Sequence, residues 1–85
     1  MEATSSQGQF YGPKADVWSL GAILYFMTYG EPPDYVPRAA DPPDGQSPSR
    51  DHLLVDMLRR TLVLDPHKRA DIHTLLRHPF TNRRQ

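Results

Sequence analysis

The chain has 85 residues, with ten basic and ten acidic side chains, nine prolines and no cysteine. This length allows one small domain, and the lack of cysteine excludes disulfides and thiolate metal sites. No apolar run approaches the roughly 20 residues of a membrane-spanning helix, and the polar segment after Met1 lacks the regions of a signal peptide. The composition predicts an intracellular protein that is not held in a membrane.

The balanced charge conceals an asymmetry along the chain. Residues 1–56 carry three basic and eight acidic side chains, whereas residues 57–85 carry seven basic and two acidic ones. A basic region is one feature of nucleic-acid-binding proteins. Here the arginines are spread over different helix faces without aromatic side chains between them, so nucleic acid is not favoured as a partner.

Residues 1–15 are expected to form an irregular lead, because they are mostly small and polar and show neither the helical nor the strand period. Residues 16–30 predict a helix, with Asp16 at its positive end and Gly30 as the stop. Nine of the eleven residues from Val17 to Met27 are apolar. A helix that is apolar all round belongs in the centre of a folded body. The rest of this chain is too short to cover it on every side.

Residues 31–48 contain six of the nine prolines and few large apolar side chains. This composition is typical of a flexible linker and predicts a disordered proline-rich loop.

Residues 49–80 predict a pair of helices, and residues 81–85 a tail. The first helix is expected to begin near Ser49, capped by Ser47 or Ser49. It carries one regular apolar stripe: Leu53, Leu54, Met57, Leu58, Thr61 and Leu62. The second is expected to follow Asp71 as N-cap and to stop before Pro79. The fold class predicted from all these elements is all-α.

Three histidines, His67, His73 and His78, are close in sequence. His73 and His78 point to different helix faces, and a zinc site needs three or four converging ligands. No metal site is expected.

Three motifs in order resemble eukaryotic protein kinases. The segment DVWSLG at 16–21 matches the D-x-W-S-x-G motif that begins the central helix of the kinase C-lobe. LDPHKR at 64–69 resembles the L-x-x-D-P-x-x-R signature, and LLRHPF at 75–80 resembles the L-L-x-H-P-aromatic ending. The resemblance covers residues 14–30 and about 51–80. The stretch ILYFMTYG at 23–30 is similar to the monopolar-spindle dual-specificity kinases of the spindle checkpoint.

The resemblance implies a partial kinase C-lobe and a set of structural residues: Glu2, Asp16, Trp18, Gly21, Asp65, Arg69, His78 and Pro79. In the family, the motif aspartate accepts hydrogen bonds from the catalytic loop and the motif tryptophan packs beneath the activation segment. The motif arginine pairs with a glutamate, here expected to be Glu2. The family activity is ATP-dependent phosphorylation of serine and threonine, with ATP and magnesium as cofactors. A kinetochore or spindle location, in nucleus or cytoplasm, is implied as well.

The 85 residues contain no glycine-rich loop, no strand lysine, no H-R-D and no D-F-G motif. Without them, the chain has no catalytic residue and is expected to bind neither nucleotide nor metal on its own. Two functions remain open. The chain is a truncated kinase piece that is inactive alone, or it is a non-enzymatic interaction module. Such a module would use the exposed apolar helix and the basic C-terminal helices to bind a protein partner or a second copy.

Overall fold

The computed structural model describes the backbone of residues 2–83 and the side chains of residues 12–83. Its helices are α1 (Glu2–Tyr29), α2 (His52–Thr61), α3 (Ile72–Leu76) and α4 (Pro79–Asn82). No strand occurs among the described residues. The prediction of an all-α fold is confirmed. None of these helices is both long and apolar enough to cross a membrane.

Helix α1 is 28 residues long and passes through Pro13, so it begins well before Asp16. The expectation of an irregular lead over residues 1–15 is wrong for this segment, and Asp16 lies inside the helix. Glycine and proline near residue 12 lower helix propensity locally, but Glu2, Ala3 and the glutamines favour it. The predicted end is correct, because Gly30 adopts a left-handed φ of 84° that suits glycine.

One face of α1 packs against α2. Its buried positions recur every fourth residue, at Val17, Gly21, Tyr25 and Tyr29. They meet the predicted apolar stripe of α2, whose buried members are Met57, Leu58, Thr61 and Leu62. The core is therefore the seam between two helices, and the opposite side of α1 remains open, with Ile23 57%, Phe26 54% and Met27 75% exposed.

The proline-rich loop has no helix or strand, but it is ordered against α1. The Tyr25 hydroxyl donates to the Asp41 carbonyl oxygen at 2.7 Å, and the Gln46 amide donates to the Tyr29 carbonyl oxygen at 3.1 Å. Ala39 is buried in the core beside the two tyrosines. The expectation of a disordered loop is therefore wrong, because these contacts fix the loop at several points along its length.

Aspartate side chains cap the first two of the helices that follow the loop. Asp51, and not Ser47 or Ser49, caps α2 by accepting from the Leu54 N–H at 3.1 Å. Asp71 caps α3 as predicted, through the Thr74 N–H at 2.8 Å. Helix α3 ends before Pro79, which in turn opens α4 at a position where its missing N–H costs nothing.

Candidate functional site

Arg69 joins the start of the apolar part of α1 to the turn after α2. It is 7% exposed, and its guanidinium donates to three backbone carbonyls. Nε donates to Val63 at 2.8 Å, Nη1 to Lys14 at 2.7 Å and Nη2 to Leu64 at 3.1 Å. The Lys14 ammonium donates back to the Arg69 carbonyl oxygen at 2.6 Å. This reciprocal pair holds two segments together that lie 55 residues apart in sequence.

The turn that presents Arg69 is built by Asp65. Its carboxylate accepts from the His67 N–H at 2.9 Å, which closes an Asx turn of the kind that favours aspartate. Its carbonyl oxygen accepts from the N–H groups of Lys68 and Arg69 at 2.9 and 3.1 Å. Asp65 therefore acts through backbone geometry, since it places Arg69 at the right point of the chain.

A cleft of about 410 Å³ opens beside Arg69, lined by Ala15, Trp18, Ser19, Tyr35, Pro66 and Arg69. The Arg69 guanidinium lies over the Trp18 ring, 5.2 Å from its centroid. On the loop side, Tyr35 makes an edge contact with Trp18 at 5.1 Å between ring centroids. The cleft is thus an aromatic groove with a buried cation in its wall.

His78 anchors the C-terminal helices to α2. It is 6% exposed, and its Nδ1 accepts from the Phe80 N–H at 2.9 Å, which caps α4. Because Nδ1 is an acceptor, the ring proton lies on Nε2. Nε2 then donates to the Asp56 carboxylate at 2.6 Å. Pro79 follows directly, so the histidine–proline pair of the motif sets the start of α4.

Asp56 receives two donors on the same oxygen. His78 and the Arg60 guanidinium each lie 2.6 Å from it, and their hydrogen bonds, that of His78 first, hold the pKa of Asp56 below its ordinary value of 3.8. Likewise, the Arg83 guanidinium and the Leu54 N–H lower the pKa of the Asp51 carboxyl. The ionised carboxylates therefore bind the C-terminal segment to the N-cap and to the middle of α2.

The lowered pKa of Asp56 makes its contribution to stability depend on pH. A carboxyl whose pKa is lower in the folded state stabilises the fold above its unfolded pKa, and loses this effect as the pH falls through its folded pKa. We expect Asp56→Asn to lower the free energy of unfolding by about 0.5–1 kcal/mol at pH 6, since the pair is partly exposed. At pH 3 and below, the difference from the unmodified chain should shrink.

Urea unfolding at both pH values measures this, with Asp44→Asn, an exposed position in the loop, as control. An Asp56→Asn effect of equal size at both pH values would contradict the role of the ionised carboxylate.

A second cleft of about 350 Å³ lies between α1 and the loop. Its wall carries four carboxylates, Glu31, Asp34, Asp41 and Asp44, beside the Tyr25 hydroxyl. Burial, and then the neighbouring Tyr29 and carboxylates, raise the pKa of Tyr25. No group of three or more histidine, aspartate or glutamate side chains within the described part of the chain is arranged to hold a metal ion.

Among the remaining motif residues, the structure describes Asp16 and Gly21 but not the side chain of Glu2. Asp16 is exposed, on the side of α1 away from α2. Gly21 lies at a close approach of α1 and α2, since a Cβ there would be 2.7 Å from the Thr61 Cβ. The side chain of Glu2 lies outside the described residues, so its pairing with Arg69 stays a prediction. Three of the five N–H groups of Arg69 bind carbonyls.

Sequence reasoning missed several partners in these clusters. Lys14 and Tyr35 both contact the Arg69 region, and Asp56 binds His78. Arg60, the other partner of Asp56, lies only four positions on in the same helix. The long-range partner His78 lies 22 residues away, and no local pattern in the sequence marks that separation.

No protein-family model matches the chain. A probable serine/threonine-protein kinase, fhkE, of Dictyostelium discoideum is 38% identical, over 93% of this chain and 13% of that kinase. Calcium-dependent protein kinase 10 of Oryza sativa subsp. japonica is 40% identical, over 82% of this chain and 14% of that kinase. Dual specificity protein kinase Ttk of Danio rerio is 39% identical, over 91% of this chain and 9% of that kinase.

All three relatives are named as protein kinases, and their names place them in different groups of kinases. The chain spans 13% and 14% of the first two, so it corresponds to a small part of each. At least 82% of the chain, about 70 residues, is aligned in each case. Each aligned stretch therefore spans both the D-x-W-S-x-G motif at 16–21 and the arginine turn at 64–69. The chain is similar to a small part of several protein kinases, and its all-α fold is consistent with a partial kinase C-lobe.

Proposed function

We propose that this segment serves as the helical core of a serine/threonine protein kinase C-lobe, and that the 85-residue chain alone has no kinase activity. The contact that supports the proposal is the one between two motifs. Arg69 of the D-P-x-x-R turn binds the Lys14 carbonyl oxygen and lies over Trp18 of the D-x-W-S-x-G helix. The two kinase-like motifs thus form one packed unit, which gives both sequences a structural purpose. Phosphoryl transfer from ATP would belong to complete kinases that contain such a unit.

Catalysis of phosphoryl transfer needs phosphate-binding backbone, a positioned lysine and carboxylates that hold magnesium. The sequence has none of the motifs that supply them. We expect isothermal titration of the chain with magnesium-ATP to show no saturable heat, and incubation with radiolabelled ATP and a generic basic protein substrate to show no transfer. An intact kinase under the same conditions is the positive control. Saturable binding at millimolar or lower nucleotide concentration would contradict the proposal.

A finer assignment, to the monopolar-spindle dual-specificity branch with a location at kinetochores, is also proposed. Its support is the stretch from Ile23 to Gly30 and the similarity to Ttk. The identity to calcium-dependent protein kinase 10 is of the same size, so overall similarity does not select the branch. Imaging of a tagged chain in mitotic cells tests it, and a signal that never concentrates at kinetochores would contradict it.

A second function is favoured by a separate observation. Helix α1 leaves three large apolar side chains open on one side, Ile23, Phe26 and Met27, each more than half exposed. A contiguous apolar surface of this kind is typical of protein interaction sites. We propose that the chain acts as an interaction module through this side of α1.

A further inference from the structure

Ser47, in the loop before α2, differs from every other serine and threonine whose side chain the structure describes. It is exposed and lies outside any helix, and its hydroxyl makes no hydrogen bond within the described residues. The other hydroxyl groups are either hydrogen-bonded to the backbone or carried by a helix: Ser19, Thr28, Ser49, Thr61, Thr74 and Thr81. Among the described serines and threonines, Ser47 is therefore the one most open to modification by another protein.

The loop presents Ser47 between two points of attachment. The Gln46 side-chain amide donates to the Tyr29 carbonyl oxygen at 3.1 Å, and the Ser49 N–H donates to the Tyr29 hydroxyl oxygen at 3.2 Å. A residue before proline is held in the extended region of backbone conformation, so Pro48 keeps Ser47 extended. An enzyme that modifies a side chain must enclose the backbone on both sides of it, which an exposed extended segment permits and a helix does not.

The exposure of Ser47 does not depend on the open side of α1. Its neighbours Gln46 and Ser49 attach to the last residue of α1 and lead directly into α2. The aromatic groove beside Trp18 contacts an earlier part of the loop, at Tyr35. A protein segment placed over that groove would therefore leave the Ser47 part of the loop accessible.

The residues that follow Ser47 limit the kind of enzyme that can bind it. Ser47 is the only serine or threonine of the 85 residues that directly precedes a proline. Proline has no backbone N–H and a fixed φ, so the enzyme needs an apolar pocket, without a hydrogen-bond acceptor for the backbone, next to the serine. Arg50 is exposed and makes no ion pair within the described residues. Its guanidinium suits a carboxylate or phosphate on the enzyme.

We propose that Ser47 is a phosphorylation site for a proline-directed protein kinase. ATP and the modifying enzyme both come from outside this chain. The Ser47 Oγ forms a bond to the γ-phosphorus of ATP as the bond from that phosphorus to the bridging oxygen breaks, and ADP leaves with the electron pair. The hydroxyl proton passes to a carboxylate base of the modifying kinase. The products are phosphoserine and ADP.

The surroundings of Ser47 can accept the added charge. A phosphoserine carries about −1.5 to −2 charge at pH 7 and three acceptor oxygens. A cleft of about 450 Å³ lies against the residues on either side of Ser47, and its wall contains Arg59 and the carboxylate of Asp44. Arg59 and Arg50 make no ion pair within the described residues. Two unpaired guanidinium groups are thus available to offset the phosphate.

Incubation of the full chain with magnesium-ATP and a purified cyclin-dependent kinase bound to its cyclin tests the proposal. We expect mass spectrometry to show one added phosphate, located on Ser47 by peptide mapping. Ser47→Ala should take up none, whereas Ser49→Ala, the matched control two residues on, should be phosphorylated at the rate of the unmodified chain. Pro48→Ala should lower the rate at least tenfold, because it removes the residue that the enzyme selects.

Undiminished phosphate uptake by Ser47→Ala would overturn the assignment, as would uptake that is independent of Pro48. A synthetic peptide of residues 43–53 gives the comparison without the fold. If the peptide were phosphorylated and the full chain were not, the loop contacts would hide Ser47, and the site would be wrong. If neither were phosphorylated, the enzyme class would be wrong. The kinase-core and interaction-module proposals do not involve Ser47, so each of these results leaves them unchanged.

Discussion

Replacing Arg69 by alanine is expected to lower the free energy of unfolding by about 3–5 kcal/mol. Its guanidinium donates to the carbonyls of Lys14, Val63 and Leu64, and it is 7% exposed. Hydrogen bonds that involve a charged group contribute about 1.5–3 kcal/mol each, and carbonyls left buried without a partner add a penalty. The alanine variant loses all three donors at once, together with the contact to the Trp18 ring.

Urea unfolding of the variant and the unmodified chain at equal protein concentration measures this loss. Arg59→Ala, at an exposed position on α2, is the control and should change stability by less than about 0.5 kcal/mol. Arg69→Lys should recover little, because a lysine ammonium cannot direct donors to three separate carbonyls in one plane. If the alanine variant were as stable as the Arg59 control, the bridge between α1 and the turn would have no energetic role.

The arginine could be found from the sequence, but its partners could not. The D-P-x-x-R pattern selects Arg69, and the resemblance to kinases implies a carboxylate partner. Within the described residues, three backbone carbonyls bind it, and the carboxylate partner stays a prediction. Every residue has a carbonyl, so no side-chain pattern distinguishes those of Lys14, Val63 and Leu64. Only the path of the chain, which places Lys14 next to the turn, determines these bonds.

In the helices and the loop, too, the features set by nearby residues were predicted, whereas those set by residues on another element were not. The apolar stripe of α2 and the Asp71 cap of α3 depend on spacings of a few residues, and both were predicted correctly. The order of the proline-rich loop depends on Tyr25 and Tyr29, which lie on another element. Composition alone indicates disorder there, because it does not include two tyrosines that bind the loop from outside.

The start of α1 illustrates a different limit. Residues 2–15 contain glycines and Pro13, which predict an interruption, yet the helix runs through them. Proline cannot donate to the carbonyl four residues earlier, so one hydrogen bond of α1 is absent at this point. The prediction of an irregular lead was wrong here, since one missing bond did not end the helix.

Gly12 and Gly21, both within α1, are expected to respond differently to alanine. A Cβ at Gly21 would be 2.7 Å from the Thr61 Cβ and 3.0 Å from a Leu62 methyl carbon. Because the Thr61 Cβ is fixed to the backbone of α2, no rotamer change relieves the contact, and the two helices must separate. Overpacking of this kind costs about 1–3 kcal/mol.

We therefore expect Gly21→Ala to lower the free energy of unfolding by about 1–2 kcal/mol, after the gain of up to about 1 kcal/mol that alanine brings to a helix interior. At Gly12 no atom outside its chain neighbours and the nearby backbone of α1 lies within 4 Å of an added Cβ. Gly12→Ala should therefore create no helix–helix clash and should change stability by less than about 1 kcal/mol, since the helix gain is opposed by crowding against Pro13. Both variants are compared with the unmodified chain at equal protein concentration. Equal effects at the two positions, measured by urea unfolding, would mean that α1 and α2 do not approach at Gly21. The glycine of the D-x-W-S-x-G motif would then need another explanation than close helix packing.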